Sequence, residues 1–208
     1  MARGRNDRSS PSARAASVDE NDPAARRTER GWSVTDLRRP APSEHAEYYA
    51  GYIALVPDGD ISAILLDQLG DTVQLLRSIP EDRETYRYQD DKWTLREVVG
   101  HLIDTERVFA YRALAMARED EIDLPGMDQD AWSASSNAAD RPLRDLVEEW
   151  VSVRRSNVHL FATLPAGSGA RTGRASGHDF TVRSFPWIIA GHELWHRDLI
   201  RRDYLADA

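Results

Sequence analysis

The residues best suited to chemistry are two histidines near the end of the chain, in Gly191-His192-Glu193-Leu194-Trp195-His196. In a helix, side chains four residues apart project from one face, about one turn apart. The same stripe of the predicted helix carries four apolar residues: Phe185, Ile188, Ile189 and Leu199. The two histidines are therefore predicted to face the protein core, where imidazole nitrogens need partners.

Two interpretations of this pair stay open at this point. A histidine on an apolar face is commonly a core residue that is hydrogen-bonded to a carbonyl or a carboxylate. No acidic residue shares the stripe of His192 and His196, however, and a metal ion would use both imidazoles at once. A third ligand elsewhere in the chain would favour the metal site.

Composition narrows the class of protein. The chain has 208 residues, 30% of them charged, and a formal net charge of −8, which argues against a nucleic-acid partner. It contains no cysteine, which excludes disulfides, thiolate ligands and a cysteine nucleophile. No apolar run approaches the roughly 20 residues that span a membrane, and no secretory segment is apparent. We expect a soluble cytoplasmic protein without a membrane partner.

The first part of the chain differs from the rest. Residues 1–42 are rich in Arg, Ser, Ala and Pro and poor in large apolar side chains, so we predict a disordered tail before a folded domain at 43–208. Four arginines in this tail leave a nucleic-acid arm open: Arg3, Arg5, Arg8 and Arg14. The acidic residues among them favour a solvated tail instead.

The folded part shows helical periodicity between Pro and Gly breaks. A short helix is predicted over 43–55, and long helices over 61–78, 94–118, 140–164 and 181–204. Asp60, Thr94 with Glu97 as a capping box, Asp140, and Thr181 or Ser184 are the predicted caps. Strand patterns are missing, and residues 165–179 are predicted to be a loop. The fold class is therefore all-α, an up-down four-helix bundle.

Four further histidines are candidates for a third ligand: His45, His101, His159 and His178. His101 lies at the edge of the apolar stripe of the second long helix, and His159 lies on the third. His45 follows the tail, and His178 lies in the glycine-rich segment. His101 and His159 are the serious candidates, and spacing alone does not choose between them.

Three segments resemble the DinB-like family of bacterial four-helix-bundle metalloproteins. They are Lys92-Trp93-Thr94-Leu95-Arg96-Glu97-Val98-Val99-Gly100-His101-Leu102-Ile103-Asp104, Leu124-Pro125-Gly126-Met127-Asp128 and Ala190-Gly191-His192-Glu193-Leu194-Trp195-His196. The resemblance covers about residues 44–205, and the motifs occur in the expected order. It implies a DinB-like four-helix bundle and, in the family, frequent homodimers.

The resemblance also implies a metal site. Family members bind a divalent metal, often nickel or zinc, through one histidine of the second bundle helix and two of the last. Carried over residue by residue, the ligands are His101, His192 and His196. Many relatives have a further histidine where this chain has Trp195, a position that the i, i+4 geometry does not make a ligand. Trp195 is instead predicted to shape the mouth of the pocket.

Three histidines leave a coordination position open, as in catalytic metal sites. A metal there would lower the pKa of a bound water or thiol. This matches the family, in which some relatives are described as metal-dependent hydrolases and others as transferases or isomerases that use a low-molecular-weight thiol. The expected function is a metal-dependent S-transferase or hydrolase acting on a small-molecule substrate; a non-catalytic metal- or ligand-binding bundle is the alternative.

Other residues near the predicted ligands are candidates for supporting roles. Asp104 could orient an imidazole or be a solvated helix acid. Glu106 is predicted to be buried opposite a basic residue such as Arg112 or Arg154. Three tyrosines either line the pocket or only pack a short helix across the bundle: Tyr48, Tyr49 and Tyr52.

The segment from His192 to His196 also matches H-E-x-x-H, the zinc-protease motif in which the glutamate is the general base. We reject a protease for three reasons. After His196 the chain contains neither a histidine nor a glutamate that could be the downstream ligand. No strand pattern suggests a sheet edge for a peptide substrate. Glu193 lies about a quarter-turn from His192 around the helix, a position as typical of a residue on the pocket rim as of a general base.

Overall fold

A computed structural model describes residues 35–205 of the chain. Most of the predicted tail, residues 1–34, lies outside the described residues. Six α-helices and three short strands make up the described part: α1 Ala50–Leu55, α2 Ile61–Arg77, α3 Leu95–Arg118, β1 Asp123–Leu124, α4 Gln129–Ser135, α5 Leu143–Ala162, β2 Thr172–Ala175, β3 His178–Thr181 and α6 Ser184–Leu199. A π-helical turn, Ile200–Tyr204, continues α6.

The four long helices α2, α3, α5 and α6 form a bundle, which confirms the predicted fold class. Both α2 and α3 pack against α5 and α6. The consecutive helices α2 and α3, and likewise α5 and α6, are therefore diagonal to each other, and only α3 and α5 are both consecutive and adjacent. In the simplest up-down bundle, all consecutive helices are neighbours. The long connections 78–94 and 163–183 span these diagonals. No helix within residues 35–205 is long and apolar enough to cross a membrane.

Two of the predicted helix starts are confirmed by their capping hydrogen bonds. The Asp60 carboxylate accepts from the Ser62 amide at the start of α2. At the start of α3, the Thr94 hydroxyl accepts from the Glu97 amide and the Glu97 carboxylate accepts from the Thr94 amide. Such reciprocal caps satisfy amides that have no partner inside the helix.

The other two predicted caps are wrong. Helix α5 begins at Leu143, three residues after Asp140, and no side chain caps it. Helix α6 begins at Ser184 without a side-chain cap, because the Ser184 hydroxyl donates to the Thr181 carbonyl instead of accepting from an amide. The tight connection from β3 into α6 supplies backbone partners that a capping side chain would otherwise provide.

The prediction that strands are missing is also wrong. Strand β2 pairs with β1 in parallel and with β3 in antiparallel, so that the predicted loop 165–179 contains a hairpin. Its turn consists of Ser176 and Gly177, both with positive φ. The strands have two to four residues each, too short for a detectable period-2 pattern.

Residues 35–42, assigned to the tail by composition, contact the bundle. The Thr35 hydroxyl accepts from the Gly169 amide at 2.8 Å, and the Trp187 indole donates to the Leu37 carbonyl at 2.8 Å. Arg39 donates to the carbonyls at the end of α1. This segment therefore ties α1 and the beginning of α6 together on one side of the bundle.

Candidate metal centre

Three histidines meet at one point inside the bundle. Nε2 of His192 lies 3.1 Å from Nε2 of His101 and 3.1 Å from Nε2 of His196. All three residues are buried, and within residues 35–205 they form the one cluster of possible metal ligands. Helix α6 supplies two of them at the i, i+4 spacing, and α3 supplies the third because the two helices pack side by side.

The other three histidines lie elsewhere. His159 and His178 are exposed, on α5 and on β3. His45 is buried, and its Nδ1 lies 3.0 Å from the Ala46 carbonyl oxygen. Of the two serious candidates from the sequence, the structure therefore places His101 and not His159 beside the pair on α6.

The three nitrogens fit a divalent metal. Two imidazole ligands at about 2.0–2.1 Å from a tetrahedral zinc would lie about 3.3 Å apart, close to the separations found here. Burial lowers the pKa of His101 to about 4. Burial and the neighbouring histidines hold the pKa of His192 and of His196 well below the usual value. At neutral pH all three imidazoles are thus uncharged, as metal ligation requires.

One hydroxyl lies beside the histidine from α3. Thr105 lies one turn after His101, and its Oγ1 is 3.3 Å from Nδ1 and 3.4 Å from Nε2 of that ring. If Nε2 faces the metal, Nδ1 carries the proton and donates to the hydroxyl, which fixes the ring orientation. This contact was not predicted from the sequence, although the i, i+4 spacing of His101 and Thr105 was a usable signal.

The histidines form part of the wall of a cavity of about 770 Å³. This volume lies in the range of small-molecule sites and is many times that of one water molecule. Tyr48, Tyr49 and Tyr52 line the cavity, so these tyrosines do more than pack α1 across the bundle. A metal bound to three histidines would therefore have space in front of it for a substrate.

Aromatic rings surround the histidines on the cavity side. The Tyr52 ring meets the His192 ring edge to face, with centroids 5.5 Å apart. Trp93 lies 4.7 Å from His101, and Trp195 lies 4.7 Å from His196, centroid to centroid. Trp195 is 42% exposed, which places it at the mouth of the cavity.

A glycine next to the first histidine of α6 permits this arrangement. A Cβ at Gly191 would overlap the carbonyl group of Tyr52, so the backbones of α1 and α6 touch there. The close approach brings the Tyr52 ring against His192. Only glycine allows two backbones to come this near.

Glu193, between the two ligands of α6, faces the opposite way. It is 1% exposed, and its carboxylate accepts from Thr72 at 2.6 Å and from Arg154 at 2.6 Å. The structure does not place Glu193 on the rim, one of the two positions that the sequence left open, because its helix position turns it towards α2 and α5. Held by these partners below the cavity, Glu193 is not placed to act as the base of a zinc protease.

Arg154 joins Glu193 to a second carboxylate. It donates to Glu106 at 2.7 Å and 3.0 Å, so that the predicted buried partner of Glu106 is Arg154 and not Arg112. Trp150 also donates to Glu106, at 2.9 Å. Two carboxylates and one guanidinium leave one net negative charge when all are ionised. Below three neutral imidazoles, this charge would attract a cation.

Asp104 is not placed to support a ligand. Its carboxylate is about one-third exposed and lies 4.0 Å from Arg107, and no contact with a histidine is found. Of the two roles that the sequence left open for Asp104, the structure agrees with a solvated acidic residue on the helix surface. The hydroxyl of Thr105 takes the place that Asp104 could have had.

Comparison with known proteins agrees with this architecture. The sequence model of the DinB superfamily matches residues 65–200, well over half of the chain and including all three histidines. The chain belongs to the DinB superfamily. No curated protein matches the sequence of this DinB superfamily member.

A solved structure has the same fold. It is YfiT from Bacillus subtilis, described as "a probable metal-dependent hydrolase with an unusual four-helix bundle topology". This superfamily member superposes on it with a TM-score of 0.57 and 19% sequence identity, covering 78% of this chain and 91% of YfiT. At this identity the likeness establishes the bundle fold.

Proposed function

We propose that this protein is a metal-dependent enzyme in which His101, His192 and His196 bind a divalent metal, nickel or zinc. The observation that carries the proposal is the meeting of the three Nε2 atoms in the wall of a large cavity. A purely structural site would normally have a fourth protein ligand, and residues 35–205 place no carboxylate in the cluster. The description of YfiT as a probable metal-dependent hydrolase supports the same class.

The bound metal would lower the pKa of a small nucleophile, either a thiol or water. The protein residues around it favour the thiol. Within the described part of the chain, the carboxylates that line the cavity are Asp91 and Asp130, and both are exposed. The lowered pKa alone would deprotonate either nucleophile, but a hydrolase commonly also uses an acid to protonate its leaving group, and no buried carboxyl of residues 35–205 lines the cavity to do so. We therefore place S-transfer from a low-molecular-weight thiol before hydrolysis.

The first test is elemental analysis of the untagged protein beside His192→Ala. We expect near-stoichiometric divalent metal in the wild type and a loss of at least ten-fold in the variant. His159→Ala, which changes an exposed histidine outside the cluster, should keep the metal. A wild type without metal, even after incubation with excess zinc or nickel, would overturn the proposal.

The second test separates the two reactions. The metal-loaded protein is assayed with an activated ester and with an alkylating electrophile, each with and without added thiol. Thiol-dependent loss of the electrophile, absent in His192→Ala, is expected for an S-transferase. Ester cleavage at a rate independent of the thiol would favour the hydrolase. No turnover with any substrate class would favour a non-catalytic metal-binding bundle.

The homodimer implied by the family resemblance stays a prediction. Sedimentation of the full chain at micromolar concentration tests it directly. A single monomeric species would contradict it.

A further inference from the structure

A buried guanidinium lies in the wall of the same cavity. Arg112 is 3% exposed and belongs to the face of α3 that carries His101 and Thr105. Unlike the other buried arginines, it has no carboxylate within salt-bridge distance among residues 35–205. Arg154 binds Glu106 and Glu193, and Arg183 binds Glu44. Arginine is rarely buried without such a partner.

Among residues 35–205, the groups that contact Arg112 are all neutral. Its Nη2 donates to the Pro125 carbonyl at 2.9 Å and to the Ser176 hydroxyl at 3.0 Å. The guanidinium lies 5.8 Å from the centroid of the Phe109 ring, and the Tyr49 hydroxyl is also beside it. These contacts satisfy hydrogen-bond donors but leave the positive charge uncompensated. Burying such a charge is unfavourable unless an anion arrives.

The second cation that lines the cavity differs from Arg112. Lys92 is 40% exposed and is paired with Asp91 at 3.0 Å, near the surface. The cavity therefore has a mouth where charges are paired and exposed, and an interior wall with a single uncompensated positive charge. An anion that enters the cavity would be drawn to Arg112.

We propose that Arg112 binds an anionic group, a carboxylate or a similar planar or tetrahedral anion, of the molecule that reacts at the three histidines. This inference rests on the proposed function for the reacting end of that molecule. At about 1.5 Å rise per residue, His101 and Arg112 lie about 16 Å apart along α3, and the Arg112 side chain leans back towards His101. The anionic group is thus several bonds away from the reacting atom, and Arg112 is a specificity-determining residue.

The competing explanation is structural. Arg112 links α3 to the segment after β1 through Pro125 and to the β2–β3 turn through Ser176. A merely structural arginine would change stability when replaced, but it would not make the cavity prefer a carboxylate over a neutral molecule of the same shape. Ligand preference therefore separates the two roles.

The experiment compares hexanoate with 1-hexanol, which differ in charge at one end. Binding to the full chain is followed by tryptophan fluorescence, because Trp93 and Trp195 line the cavity. We expect the wild type to bind hexanoate at least ten-fold more tightly than 1-hexanol. Arg112→Met should bind both with similar affinity, and Arg112→Lys should keep part of the preference. Arg118→Met, which removes an exposed charge from the same helix, is the matched control and should behave as the wild type.

A measurement on the wild type keeps the proposal testable if Arg112→Met does not fold. The Nε–H signal of Arg112 in a nitrogen-15 spectrum, assigned by its disappearance in Arg112→Lys, should shift saturably with hexanoate and not with 1-hexanol. An unmoved signal, equal affinity for the two probes, or a carboxylate preference that survives in Arg112→Met would each overturn the proposal.

Both titrations are repeated after metal removal, which excludes binding of hexanoate to the metal. The outcome then separates this inference from the proposed function. If the protein prefers the carboxylate but never binds metal, the anion site is supported and the proposed enzyme function is overturned. If the metal-loaded protein shows no preference for the carboxylate, the metal centre is supported and the role of Arg112 in anion binding is overturned.

Discussion

Arg154 on α5 and Glu193 on α6 form a buried ion pair, 2.6 Å long, behind the two histidines of α6. Each side chain is 1% exposed. Because Glu193 lies between His192 and His196 in the chain, this pair fixes the rotation of α6 that points both imidazoles into the cavity. The charge balance around Arg154 and the direction of the two imidazoles thus depend on the same contact.

Replacing Glu193 by Gln should therefore harm both stability and metal binding. The substitution keeps the shape but leaves Arg154 with one carboxylate in place of two. Arg154 stays paired with Glu106, so the expected loss is that of a charge-assisted hydrogen bond, about 1.5–3 kcal/mol. Urea unfolding of the metal-free protein measures it. Metal affinity, measured by competition with a chelator, should also fall. Glu148→Gln, in an exposed pair with Arg77, is the control and should cost at most about 1 kcal/mol.

The hydroxyl of Thr105 should matter more than the carboxylate of Asp104. Thr105→Val removes the partner of His101 Nδ1 while keeping the side-chain shape, and such changes typically weaken metal binding about 10- to 100-fold. Asp104→Asn should leave metal affinity within about two-fold, since Asp104 contacts no ligand. If Asp104→Asn weakened metal binding more than Thr105→Val in a chelator titration, the hydroxyl would not be the group that orients the ring.

Two glycine substitutions should have opposite effects. Gly191→Ala forces α1 and α6 apart at Tyr52 and should destabilise the protein by about 1–3 kcal/mol. Gly70→Ala lies in the exposed middle of α2 with open space around it, so it should stabilise by about 0.5–1 kcal/mol. Thermal unfolding of both variants measures the difference. A neutral Gly191→Ala would mean that the close backbone approach is not required.

Removing the metal should lower the thermal midpoint. A ligand present at 100 times its Kd stabilises the folded state by about 2.7 kcal/mol. For a chain of this size, that corresponds to a midpoint shift of roughly 5–10 °C. A chelator should abolish the shift in the wild type and change nothing in His192→Ala. An equal chelator effect in both proteins would show that the stabilising metal lies elsewhere.

Much of the site was predictable from local spacing. His192 and His196 share one helix face because a helix turns once in 3.6 residues, and this holds before any tertiary contact forms. The caps at Asp60 and at Thr94 with Glu97 were predictable for the same reason, since their bonds span three residues or fewer. The resemblance to the DinB-like family added His101, which spacing alone left equal to His159.

The remaining features needed the tertiary structure, because they join residues that are far apart in sequence. Periodicity reports which face of a helix is apolar but not which helix packs against it. The choice of Arg154 as the partner of Glu106 and Glu193, across 48 and 39 residues, depends on the neighbours of α5 in the bundle. The isolation of Arg112 from any described carboxylate depends on the same packing. The sequence by itself determined a helical bundle with two histidines in register; the packing of α3, α5 and α6 decided the third histidine, the buried charges and the cavity.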